Sequence, residues 1–117
     1  GRIRGYEDLT PDDYRRSLPR FQGENFAKNL KLVERVGEIA GKKGVTAGQL
    51  ALAWVLAQGK DIVPIPGTTR RHHLEENIAT LSVKLTQGDL ADIESAMPPD
   101  VVSGKRYSEA SMLLVNV

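Results

Sequence analysis

The sequence predicts an α/β fold that is mostly helical within this chain, with one short strand belonging to a sheet larger than the chain can build. Three observations carry that expectation. Apolar residues recur at helical spacing in several stretches between Asn25 and Met97. A single β-type run, Ile62-Val63-Pro64-Ile65, directly follows an apolar helix. No second run is available to pair with it, so its edge groups would be left unpaired if it were buried here alone.

Residues 1–25 read as a polar, turn-rich loop holding Gly5, Pro11, Pro19 and Gly23. Within it, Leu9-Thr10-Pro11-Asp12-Asp13 predicts a short helical start, with Thr10 as N-cap, Pro11 at the first helical position and acids in the first turn. A connection this long is expected to cover a functional region or to be disordered.

Residues 26–59 read as helices. Phe26, Leu30, Val33, Val36 and Ala40 share one face of the first, Leu32 and Ile39 widen its stripe, and Lys42-Lys43-Gly44 ends it. Thr46-Ala47-Gly48-Gln49 matches a capping box that opens the second. Its body, Leu50 to Ala57, is apolar all round and expects burial on more than one side, with the Trp54 indole N–H needing a partner.

Residues 62–66 are the expected strand. Pro64 cannot donate to a ladder, so the strand is short, edge-like or irregular. Residues 69–97 read as further helices. Leu74, Ile78 and Leu81 are the inward residues of one; Leu90, Ile93 and Met97 form the stripe of the next, which Thr86 caps. Pro98-Pro99 terminates it, and the tail to Val117 has no firm assignment.

Composition bounds the function. A chain of 117 residues suits one domain, and 40% hydrophobic with 26% charged residues is near the globular average. The net charge of +1 and mixed charge pattern argue against nucleic acid as a partner. With no cysteine there is neither a disulfide nor a zinc-thiolate site. The first residues do not resemble a signal peptide, and the longest apolar run is too short for a membrane span. The expectation is a cytoplasmic protein with no membrane partner. The chain opens at Gly1 rather than methionine, which fits processing or a fragment.

The site-like stretch is Ile65-Pro66-Gly67-Thr68-Thr69-Arg70-Arg71, leading into Leu74-Glu75-Glu76-Asn77. A Gly turn opening a helix presents unpaired amides with partial positive charge, a ready anion site. Gly67 lets a ligand approach the backbone, Thr68 and Thr69 add hydroxyls, and Arg70 and Arg71 add guanidinium forks suited to phosphate. One turn on, Glu76 and Asn77 offer groups suited to a purine's amino edge. The same residues also read as an ordinary cap with solvated arginines and a Glu76 paired to a neighbour. The spacing is neither a P-loop nor a dinucleotide Gly fingerprint. His72 and His73 are adjacent rather than four apart, so no metal is expected.

The run Leu50 to Gly59, then Ile62-Val63-Pro64-Ile65-Pro66-Gly67-Thr68-Thr69, then Leu74-Glu75-Glu76-Asn77-Ile78, resembles the carboxyl-terminal third of the aldo-keto reductases. It is most similar to the bacterial and plant branch related to potassium-channel β-subunits. Asp12-Asp13-Tyr14-Arg15-Arg16 with Pro19-Arg20-Phe21 resembles the loop after that branch's seventh strand, and Gly104-Lys105-Arg106-Tyr107 resembles its tail. The resemblance implies a (β/α)8 TIM barrel, with this chain as its carboxyl-terminal segment and residues 62–66 as the last barrel strand.

It further implies NADPH-dependent reduction of aldehydes or ketones to alcohols. Positions matching Gly67, Thr68, Thr69 and Arg70 would hold the adenosine 2′-phosphate of NADP(H), and those matching His73, Glu76 and Asn77 would contact the adenosine end. This chain has His73 where many relatives carry Gln, and Thr69 where several carry Ser or Lys. The family's catalytic Asp, Tyr, Lys and His have no matching positions, so no catalytic residue is expected and the chain alone should be inactive. A small carbonyl compound is the implied substrate. An NADP-sensing binding subunit and an inactive helical fragment, self-associating when isolated, are the other readings.

Overall fold

The computed structural model describes residues 3–115. They divide into two compact units: one joins the residues up to Glu34 with those from Met97 onward, and the other is Arg35–Ala96. Helix α1 (Gly23–Lys43) contributes residues to both.

In the first unit, three short 3-10 turns, Tyr6–Asp8, Tyr14–Ser17 and Pro19–Phe21, precede α1. The helical start expected at Thr10-Pro11 does not form. The Asp13 amide donates to Thr10 O at 2.9 Å and closes a turn there, and Asp13 instead becomes the cap, its carboxylate accepting from the Arg15 amide. The loop folds around Leu9, which is 1% exposed. The Arg16 guanidinium donates to Leu9 O at 2.6 Å and lies 4.3 Å from the Tyr6 ring centre.

The tail is tied to α1 through Asn29. Its amide nitrogen donates to Arg20 O and Ser103 O, and its oxygen accepts from the Ser103 amide. Gly104, next along, has φ +87°, and a Cβ there would lie 2.9 Å from the Asn25 side-chain nitrogen and 3.0 Å from Pro19 O. Both the conformation and the space therefore select glycine. The buried stripe of α1 also differs from the expected one. Leu32 is buried, whereas Val33, expected inside, is 43% exposed. A short helix, α5 (Glu109–Met112), lies in the tail and is capped by Ser108.

The second unit holds α2 (Ala47–Ala57), α3 (Arg71–Ala79) and α4 (Gln87–Ala96) around a core of Ala40, Leu50 and Ile93. Val36, Ile39, Val45, Trp54 and Leu85 pack against that core. Helix α1 ends where Gly44 takes φ +71°, with the Val45 amide reaching back to Ala40 O and the Gly44 amide to Gly41 O. This paired closure satisfies carbonyls that the helix end would otherwise orphan. The capping box of α2 forms as expected, Gln49 N donating to Thr46 Oγ1 and Thr46 N to Gln49 Oε1. Thr86 and Asp89 make the same reciprocal pair at the start of α4.

Asp89 carries a second duty. Its carboxylate accepts from Lys43 Nζ at 2.5 Å, linking the end of α1 to the start of α4. The Lys43 hydrogen bond, followed by those from Thr86, holds the Asp89 carboxyl down to about 2 from its ordinary 3.8. Because the folded value lies below the unfolded one, this stabilisation is present above pH ~4 and is lost as pH falls toward ~2. Lys43→Met is expected to raise the Asp89 titration midpoint toward 3.8 in a carboxyl NMR titration. An unmoved midpoint would reject Lys43 as the main cause.

Several sequence expectations differ from the structure. Among the described residues there is no strand, and residues 62–66 belong to neither a helix nor a ladder. A ladder requires a neighbour, and the described residues offer none, as the expectation of a sheet larger than this chain anticipates. Leu74, Ile78 and Leu81, expected inside, are 49%, 57% and 74% exposed. Helix α2 buries only Leu50 and Ala53, and its Leu52 and Leu56 line an open groove. The Trp54 Nε1 is buried but without the partner it was expected to find, as is Thr80 Oγ1.

Candidate functional site

The segment from Pro66 to Asn77 lies wholly within the second unit. Pro66, Gly67 and Thr68 precede the helix without regular structure, and Arg70 is the N-cap of α3, with φ −118° and ψ 131°. The Arg70 carbonyl accepts from the amides of His73 and Leu74, both at 3.1 Å. The Arg70 amide donates to Thr68 Oγ1 and that hydroxyl donates back to Arg70 O, both at 3.2 Å, so the Thr68 proton is engaged with the helix entrance. The amides of Arg71 and His72 have no partner among the described residues. That leaves two N–H groups at the positive end of the helix dipole.

Gly67, Thr68, Thr69, Arg70 and Arg71 are all exposed around this entrance. A Cβ placed on Gly67 would meet nothing within 4 Å, so its own chain leaves the approach to the turn open. Beyond Thr68, the Thr69 hydroxyl and the Arg70 and Arg71 guanidinium groups are donors, with no carboxylate among residues 67–71, which suits an anion with several acceptor oxygens. This donor set fits a phosphate monoester.

One turn further on, His73 and Glu76 are brought together, Nδ1 to Oε2 at 3.3 Å. The other Glu76 oxygen accepts from Thr46 Oγ1 at 2.5 Å, and Gln49 Nε2 donates to the Glu76 carbonyl at 3.1 Å. The Thr46 hydroxyl, and then His73, pull the Glu76 carboxyl below its ordinary value of 4.5, so it is an anion and a pure acceptor at neutral pH. Asn77 faces a groove of about 390 Å3 together with Ile62, Pro66 and Ile78.

The structure thus places Gly67 to Arg70 at one helix entrance and joins His73 to Glu76, while Asn77 stands apart from that pair in the groove. The contribution of α2 could not be read from the sequence. Thr46 and Gln49 are 30 and 27 residues from Glu76, and their capping-box spacing accounts only for their own helix. His72 and His73 lie with ring centres 4.0 Å apart, tilted 47° to each other. Among the described residues no three His, Cys, Asp or Glu side chains gather as a metal shell, and no helix is long and apolar enough to cross a membrane.

Comparison with known proteins matches residues 1–98 to the aldo/keto reductase family. The chain is 48% identical over 107 residues to the NADP(+) aldo-keto reductase yakc of Schizosaccharomyces pombe, covering 92% of this chain and 32% of that protein. It is also 48% identical over 101 residues to probable aldo-keto reductase 1 of Glycine max, covering 86% of this chain and 29% of that protein. The chain therefore spans about a third of the length of these curated relatives.

Proposed function

We propose, from the premise that this chain belongs to the aldo/keto reductase family, that it is the carboxyl-terminal segment of a (β/α)8 barrel that reduces aldehydes or ketones to alcohols with NADPH. Its share of the work is to grip the adenosine end of the cofactor. Gly67, Thr68, Thr69 and Arg70 receive the 2′-phosphate, and His73, Glu76 and Asn77 meet the adenosine. The observation that carries this reading is the entrance to α3, where two unpartnered amides sit beside exposed Thr69, Arg70 and Arg71.

The bound cofactor supplies the hydride. This chain's residues bind and orient. The Arg70 guanidinium pairs with phosphate oxygens, the Arg71 and His72 amides cap them, and open space at Gly67 admits the ribose. Ionised Glu76 accepts from the purine's amino group. The acid that protonates the substrate oxygen, and the walls that hold the nicotinamide, come from outside this segment, so the segment alone does not turn over substrate.

The unpaired stretch at residues 62–66 and the exposed Leu74, Ile78 and Leu81 are consistent with this reading, since a barrel covers such surfaces with neighbouring strands. The test is a fluorescence titration of the complete protein with NADPH and with NADH. Tighter binding of NADPH is the expected result. Equal affinities would overturn the phosphate assignment, because the two cofactors differ only in that group.

A further inference from the structure

We propose that Thr46 and Gln49, on the first turn of α2, are positioning residues for the nucleotide site, acting through Glu76. The inference rests on the reading above and extends it to two side chains outside the cofactor segment. Thr46 Oγ1 donates its one proton to Glu76 Oε1 at 2.5 Å, while its lone pairs accept from the Gln49 amide at 3.2 Å. Gln49 Oε1 closes the capping box at 3.1 Å, and Gln49 Nε2 reaches the Glu76 carbonyl, also at 3.1 Å.

Each residue therefore has one contact inside its own helix and one on α3. The cap alone would require only the first. The second fixes both ends of Glu76: its backbone through Gln49 and one carboxylate oxygen through Thr46. The remaining oxygen is directed to the side of His73, at 3.3 Å. That is the oxygen left to meet a purine amino group. The space around Thr46 and Gln49 leaves room for ordinary contact. A Cβ on Gly48, between the two, would approach Thr46 Oγ1 at 3.8 Å and Glu76 Oε1 at 3.9 Å. A glutamate held at both ends loses less side-chain freedom when a ligand arrives, so its contact is realised at higher affinity.

The adenosine contact is common to NADPH and NADH, whereas the phosphate contact belongs to NADPH alone. The two sets of residues are therefore separable. In the complete protein, Thr46→Asp keeps a good helix cap but cannot donate to Glu76 and sets a like charge beside it. It is expected to weaken NADPH and NADH by the same factor, roughly three- to tenfold, raising the cofactor KM with kcat unchanged. Thr46→Ser, which retains the hydroxyl, restores both affinities.

The decisive measurement is a double-mutant cycle with Glu76→Gln. If Thr46 acts through Glu76, the loss caused by Thr46→Asp shrinks once the carboxylate is gone. An unchanged loss, or a fall in kcat and melting temperature with no change in cofactor affinity, would overturn the proposal and leave Thr46 a helix cap. Should Thr46→Asp not fold, Thr46→Ala in the same cycle gives the same decision. Arg70→Ala alongside keeps the two readings apart. Equal losses of NADPH and NADH in that variant sink the phosphate site, whereas a Thr46 effect independent of Glu76 sinks only this inference.

Discussion

Replacing Arg70 with alanine in the complete protein is expected to weaken NADPH about tenfold to a hundredfold, because a hydrogen bond to a charged group contributes about 1.5–3 kcal/mol. NADH should be nearly unaffected. The selectivity follows from position. Arg70 is the N-cap of α3, is exposed, and stands beside the unpartnered amides of Arg71 and His72. The backbone amides and the dipole stay in place in the variant, so some anion affinity survives. A lysine at this position should recover only part of the loss, since it brings charge without the planar fork. Measured dissociation constants for both cofactors decide the matter. A loss shared by NADH would mean that Arg70 supports the fold of the entrance rather than reading the phosphate.

Leu50→Ala is expected to lower the stability of the second unit by about 2–5 kcal/mol, the usual range for truncating a buried leucine. Leu50 is 1% exposed and sits with Ala40 and Ile93 at the centre of the core. It is also the first large apolar residue of α2, its amide donating to Thr46 O at 2.9 Å. A cavity there loosens the helix whose first turn holds Glu76. Cofactor affinity should therefore fall along with the denaturation midpoint. Leu50→Met, of similar volume, should cost less than about 1.5 kcal/mol. If the alanine variant lost less than about 1 kcal/mol, the core would have to be centred elsewhere.

Much of the helical framework was legible in the sequence because its signals are local. The Thr46 and Thr86 caps, the Gly44 stop and the entrance at Arg70 each depend on residues within one turn. Features decided by distant residues were not legible. In α1, Asn29 meets Ser103, 74 residues away, and periodicity alone accommodated both Leu32 and Val33. The turn at Thr10 depended on Asp13 bonding back to it, which the helix-start pattern does not distinguish from a true N-terminus. At residues 62–66 the β character was readable, but a ladder needs a partner that this sequence does not contain.

The candidate site divides in the same way. The helix entrance at Gly67 to Arg70 was legible because it is formed by consecutive residues. The links from Glu76 to Thr46 and Gln49 could not, because a capping box looks the same whether or not its hydroxyl also serves a second helix.

The exposed stretch at residues 62–66 bears on self-association. Val63 and Ile65 are 80% and 93% exposed, the kind of β-rich apolar surface that seeds fibrils when another copy docks along it. Pro64 and Pro66 alternate with them, and neither carries an N–H. In an extended conformation Pro64 and Pro66 would face one edge, which lacks both donors, whereas Val63 and Ile65 keep theirs on the other. The prolines thus weaken pairing along one edge of the segment, in the manner of gatekeeper residues.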